Sequence, residues 1–314
     1  MTQLRRNHQR SSRKGQSFMK RIGMLSMLLI GGILYGFYEY TGMGDSSTSS
    51  SSYSNDDNRQ HSESAFSGSP SEERDFLPQS SSSNQVVHHK HYSLAYNEKY
   101  EIPEWVAYRL TSESLKAKNV PRAKKFKEDP DVDGRSAKHS DYTRSGYTRG
   151  HMAPAGDMAF NTEAMKETFY MSNMAPQIRP FNNGIWKELE EQVRDWAYDD
   201  KSLYVISGPL MDGIDESIGK NKVGVPKSFY KVLLDMEGRD KKGIAFVIPH
   251  ARLDKRLQDY AVPIDEVEKI TGIDFFASLT DDQEEERLES SININKWEFN
   301  NKRYRLRVEK WNKQ

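Results

Sequence analysis

The chain has 314 residues, no cysteine, and 46 Lys+Arg against 46 Asp+Glu, a formal net charge of zero. Without cysteine there are no disulfides, thiolate metal sites or cysteine nucleophiles, so any metal must be held by oxygen or imidazole. Zero net charge gives no bulk attraction for a polyanion, and a nucleic-acid ligand would need a local basic patch.

A mean hydropathy of −0.86 indicates that part of the chain forms no core. Residues 1–21 carry seven basic residues and no acidic one. Residues 22–38, IGMLSMLLIGGILYGFY, are uncharged and sit at the short edge of what crosses a hydrocarbon core. The basic flank predicts a cytoplasmic N-terminus, a transmembrane anchor at 22–38 that contacts the membrane, and an exported remainder on the periplasmic or extracellular face. Release after signal cleavage, or an organellar membrane in a eukaryotic cell, are the alternatives. Residues 39–87, with SSTSSSSYSNDD and PQSSSSNQ, hold too few apolar side chains to offset the entropy of ordering and read as a disordered linker.

Residues 88–314 read as the folded domain. The segment SGYTRGH (145–151) reads as a strand running into a turn. In FNNGIWKELEEQVRDWAYD (181–199), Trp186, Leu189, Val193 and Trp196 recur every three or four residues, which predicts an amphipathic helix. KSLYVISGPL (201–210), SFYKVLLDM (228–236) and KGIAFVIPH (242–250) have strand signatures. PIDEVEKITG (263–272) has an acidic first turn and a terminal glycine, a second helix. Strands and helices without a βαβ rhythm indicate an α+β domain.

His151, at the end of YTRGH, has an ordinary pKa suited to a general base. Asn182, near the start of the 181–199 helix, can cap that helix or face a cation. On a straight helix Glu190 would lie about 80° around and roughly 12 Å along from it, so both could not bind one Mg²⁺ directly. Asn182 as direct ligand with Glu190 acting through metal-bound water satisfies that geometry. Between Arg122 and Arg149 there are eight Lys/Arg and five Asp/Glu, a modest basic patch. Asp157 is a weaker candidate to approach a metal. His88, His89 and His91 read as exposed side chains on the domain's first strand, and His139 and His250 have no partner legible in the sequence.

The runs GRSAKHSDYTRSGYTRGHMAPAGDM and TFYMSNMAPQIRPFNNGIWKELE closely resemble the DNA/RNA non-specific endonucleases, the family that includes endonuclease G. The resemblance continues through YVISGPL, VPKSFYKV, AFVIPH and VPIDEVEKITGIDFF. It implies a ββα-metal nuclease fold, with a central mixed or antiparallel sheet flanked by helices, here preceded by the transmembrane helix. It implies a Mg²⁺-dependent hydrolase, with Mn²⁺ as an alternative, that cuts DNA and RNA through backbone contacts and leaves 5′-phosphate ends. Carried over, His151 matches the general base, Asn182 the direct metal ligand and Glu190 the residue that orients metal-bound water. Asn173 matches the asparagine of a supporting Ser-Asn pair, and Arg122 an arginine that contacts phosphate; Arg149 could add further positive charge. A homodimer is the assembly seen in relatives. Thr148 stands where the family usually has aspartate. That departure motivates the alternative expectation, a membrane-tethered nucleic-acid-capture protein with weakened catalysis.

Overall fold

Seven strands pair antiparallel in the order Ala261–Val262, Lys242–Pro249, Ser228–Asp235, Ser202–Pro209, Ile102–Thr111, Ser93–Asn97 and Gln85–His88. The structure is a computed structural model describing residues 75–313 apart from 238, 239 and 280, all within one unit, Ala65–Gln314. Ordered chain extends N-terminal of residue 88: Phe76 is buried and Gln79–Ser80 pairs with Ile273–Asp274.

Side chains alternate across a strand, and both faces of the central strands are covered. Val106, Tyr108 and Leu110 pack with Phe229 and Leu233 on one face. Trp105 and Ala107 pack with Tyr230, Val232 and Leu234 on the other. This double burial explains why SFYKVLLD is almost continuously apolar. Both of its charged residues, Lys231 and Asp235, are buried, Lys231 on the face shared by Phe229 and Leu233.

The expected helix forms as Lys187–Asp199, with Leu189, Val193, Trp196 and Ala197 buried. Burying a side chain such as Leu189 or Val193 contributes about 1.5–3 kcal/mol. The helix does not run straight back to residue 181. Phe181–Trp186 forms a wider turn, broken at Gly184 (φ −99, ψ −111). A Cβ at Gly184 would stand 2.6 Å from Asn312 Oδ1, so the chain's C-terminal end requires the glycine. The second expected helix is Ile264–Thr271, stopped by Gly272 in the left-handed region.

The expected transmembrane helix is corrected. Among the described residues no helix is long and apolar enough to cross a membrane. The 13 residues of Lys187–Asp199 reach only about 20 Å against the ~30 Å hydrocarbon core. Residues 22–38 lie outside the described residues. The fold of the described residues is the α+β ββα arrangement. The membrane anchor, the membrane contact and the exported placement that rested on the helix are withdrawn.

Candidate active site

Thr148–His151 and Met174–Gln177 pair antiparallel, with Thr148 opposite Gln177 and His151 opposite Met174. The chain then passes through the 181–186 turn into the 187–199 helix, so two strands and a helix converge around His151. A Cβ at residue 150 would lie 2.2 Å from the buried Gln177 side chain, so only glycine fits between Arg149 and His151.

His151 is 8% exposed, and its Nε2 has no hydrogen-bond partner. Its ring packs against Phe169 and Phe126, with centroids 5.2 and 5.9 Å away. Desolvation first, then the positive charge of Arg122, pushes its pKa down to about 3. It is therefore a neutral imidazole at ordinary pH. Trp186 donates its indole N–H to the His151 carbonyl at 3.1 Å, tying the strand to the helix entry. Ser207 of the main sheet donates to the Met152 carbonyl at 2.8 Å.

Asn173 is a clamp for the loop after His151. Its amide donates to the carbonyls of Ala153 (3.0 Å) and Thr168 (2.9 Å), and its Oδ1 accepts from the Ala153 N–H at 2.8 Å. Beside it, Ser172 donates to Asp129, which also pairs with His89 at 2.9 Å. His89 is therefore buried and partnered, contrary to the exposed reading; only its neighbour His88 is exposed. His89, Asp129 and Asp131 form one of the side-chain groups that could hold a metal ion.

Asn182 does not cap the helix. Its Nδ2 donates to Thr148 Oγ1 at 2.8 Å, and Thr148 donates to the Gln177 carbonyl at 2.8 Å. This commits the amide nitrogen and leaves Oδ1 as the oxygen free to meet a cation. Because the chain kinks at Gly184, the straight-helix argument that separated Asn182 from Glu190 does not apply. Replacing Thr148 by valine keeps its shape and removes both hydrogen bonds. Thr148→Val is expected to weaken apparent Mg²⁺ affinity about 10-fold or more, measured by metal titration of cleavage, with Thr148→Ser retaining it.

Glu190 is part-buried, and its pKa is pushed up to about 7 by desolvation. Arg194, Lys231 and Arg122 oppose that shift, and Asp157 adds to it. Arg122, which is exposed, thus acts on both His151 and Glu190 and lies over Phe169 (5.1 Å). Arg149 is held between the Phe126 and Tyr142 rings, 5.3 Å from each, and donates to the His139 carbonyl at 2.7 Å. Asp157 is buried and spent, accepting from Tyr108 (2.7 Å) and Arg194 (2.7 Å). His250 lies between the Ile178 N–H (2.7 Å) and the Pro226 carbonyl (2.8 Å).

Sequence reasoning missed Lys231, Arg194, Phe126 and Phe169. Lys231 left a signal: a lysine at an inward position of an otherwise apolar strand. Its Nζ lies 4.9 Å over the Trp186 ring and has no hydrogen-bond partner. The two phenylalanines are ordinary in sequence, and only folding brings them to His151.

The family model for the DNA/RNA non-specific endonuclease matches residues 75–282. The chain is 37% identical over 230 residues to the mitochondrial nuclease EXOG of Xenopus laevis, covering 68% of this chain and 63% of that protein. It is 38% identical over 229 residues to Nuclease C1 of Cunninghamella echinulata var. echinulata, covering 68% and 86%. The chain thus spans under two thirds of the frog relative's length. It is also similar to the solved structure of the EndoG/EndoGI complex, with 35% identity and a TM-score of 0.58, over 63% of this chain and 88% of that one. That complex pairs EndoG with EndoGI and lends no support to the expected homodimer, which is dropped. The model match, the relatives and the architecture agree: this chain belongs to the DNA/RNA non-specific endonuclease family, a family of nucleases.

Proposed function

We propose that the chain is a metal-dependent, sequence-nonspecific endonuclease that hydrolyses phosphodiester bonds in DNA and RNA and leaves 5′-phosphate ends. The observation that carries this reading is the buried neutral His151 on the last residue pair of the two strands of a ββα unit, with Arg122 acting on both His151 and Glu190. The donors fit a hard divalent cation. Asn182 has its nitrogen committed to Thr148 and its oxygen free, and Glu190 adds a carboxylate. Mg²⁺, or Mn²⁺ in its place, would be held by Asn182 directly and by Glu190 through water. It would supply charge neutralisation at the phosphate.

His151 takes a proton from the attacking water. An anionic phosphodiester beside the imidazole raises its basicity, because negative charge favours the imidazolium. Arg122 neutralises phosphate charge from the exposed side, and Arg149 adds positive potential from between its rings. Asn173 holds the loop after His151 and so fixes the imidazole relative to the strand. Backbone contacts carry no base readout, so cleavage has weak sequence preference and binding falls as salt rises. Thr148, the feature behind the capture alternative, lacks the usual carboxylate charge but keeps hydrogen bonds to Asn182 and Gln177, which supports the catalytic reading.

The test is cleavage of plasmid and of single-stranded RNA by the purified protein with Mg²⁺ or with EDTA. Both substrates are expected to be cut with Mg²⁺, and neither with EDTA. Intact substrates in Mg²⁺ would refute the reading.

A further inference from the structure

On the sheet face opposite His151, the Ile264–Thr271 and Asp282–Glu289 helices cover the core built on Trp105, Val232 and Leu234. Three carboxylates converge between them. Asp265 and Glu268 are three residues apart and share one helix face, and Glu289 reaches in from the last position of the other helix. One ligand oxygen from each lies within 4.8 Å of the others.

The observation that singles this cluster out is Glu289. It is 1% exposed, and neither of its carboxylate oxygens has a hydrogen-bond partner. It also stands at a helix C-terminus, where the helix dipole disfavours negative charge. Among the described residues, Glu268 Oε1 accepts from the Phe275 N–H, at 2.7 Å. Burial first, then the carboxylates of Glu268, Glu285, Asp265 and Asp274, push the Glu289 pKa up to about 9. A buried carboxylate among carboxylates must be neutralised by a proton or a cation.

Three carboxylates converging on one point suit Ca²⁺, which takes many oxygen ligands in a flexible geometry, better than Mg²⁺, which keeps several of its waters and uses fewer carboxylates. We propose that Asp265, Glu268 and Glu289 bind a divalent cation of calcium's size, which clamps the two helices together on the face remote from the candidate active site. This site is separate from the nuclease reading and stands or falls without it.

The test is calorimetric titration of the full chain with CaCl₂, using the Asn182→Ala protein so that the proposed active-site ligand is removed. Glu289→Gln in that background keeps the shape, discards the buried charge and is therefore expected to fold. The Ca²⁺ bound is expected to fall by one equivalent. The rise in Tm of several degrees at about 100 times the Kd is expected to disappear with it. Glu268→Gln should weaken the same equivalent about 10-fold or more. An unchanged number of equivalents in Glu289→Gln, or no Ca²⁺ bound by the Asn182→Ala protein, overturns the proposal and assigns neutralisation to a proton.

Discussion

His151→Ala is expected to lower Mg²⁺-dependent cleavage of plasmid and RNA by about 10²–10⁴, the contribution of a positioned general base. The loss should fall on kcat rather than on substrate binding, because Arg122 and the rest of the basic surface are untouched. Single-turnover cleavage at saturating protein separates the two; a variant that cuts at the unsubstituted rate would sink the base assignment. The same substitution has a second, independent readout in acid. His151 in the folded chain has its pKa near 3, below its ordinary value near 6.5. The folded state therefore binds fewer protons than the unfolded one between those pH values. The stability this group contributes is fully present above about pH 6.5 and is lost as pH falls toward 3. It amounts to something on the order of 5 kcal/mol. Urea unfolding between pH 7 and 4 should show a shallower decline in His151→Ala than in the unsubstituted protein.

Arg307→Met is expected to destabilise the fold by about 3–5 kcal/mol, the cost of breaking a buried ion pair from one side. Arg307, on the Asn301–Glu309 helix, is fully buried and donates to Glu188 and to the carbonyls of Leu253 and Lys255. Burial pushes the Glu188 pKa up and Arg307 is the main force opposing that. Without the guanidinium, a buried carboxylate and two carbonyls lose their donor. In a domain of this size the effect is roughly a 10 °C fall in Tm. The double variant Arg307→Met with Glu188→Gln should recover much of the loss, because no charge remains uncompensated. An additive double variant would show that packing, not the ion pair, carries the effect. The consequence reaches the candidate site, because this C-terminal segment braces the helix that bears Glu190. Arg303 adds ion pairs to Glu191 (2.9 Å) and Asp195 (2.7 Å), and Asn312 sits against Gly184. Arg303, Arg307 and Asn312 all lie beyond the end of the family-model match at residue 282, so the family pattern does not describe their side of the brace.

The sequence by itself determined the local elements and the nuclease family. Leu189, Val193 and Trp196 recur at helical spacing because one face of that helix is buried. The alternating and continuous apolar runs at 202–209, 228–235 and 242–249 fall in the strands they indicated. The YTRGH run marks the strand that carries His151. These signals survive in one dimension because they depend on neighbours a few residues away. Only the tertiary structure decided what each group experiences. In sequence Asn182 could cap the helix or face a cation; a strand 34 residues earlier supplies its hydrogen-bond partner, Thr148. The helix start was misplaced because the kink at Gly184 answers to Asn312, far along the chain. The low basicity of His151 comes from Phe126, Phe169 and Arg122 closing around it, since desolvation and charge depend on distance in space. Residue types set which reactions are open to this chain; long-range packing sets which of those side chains are buried, paired and free to react.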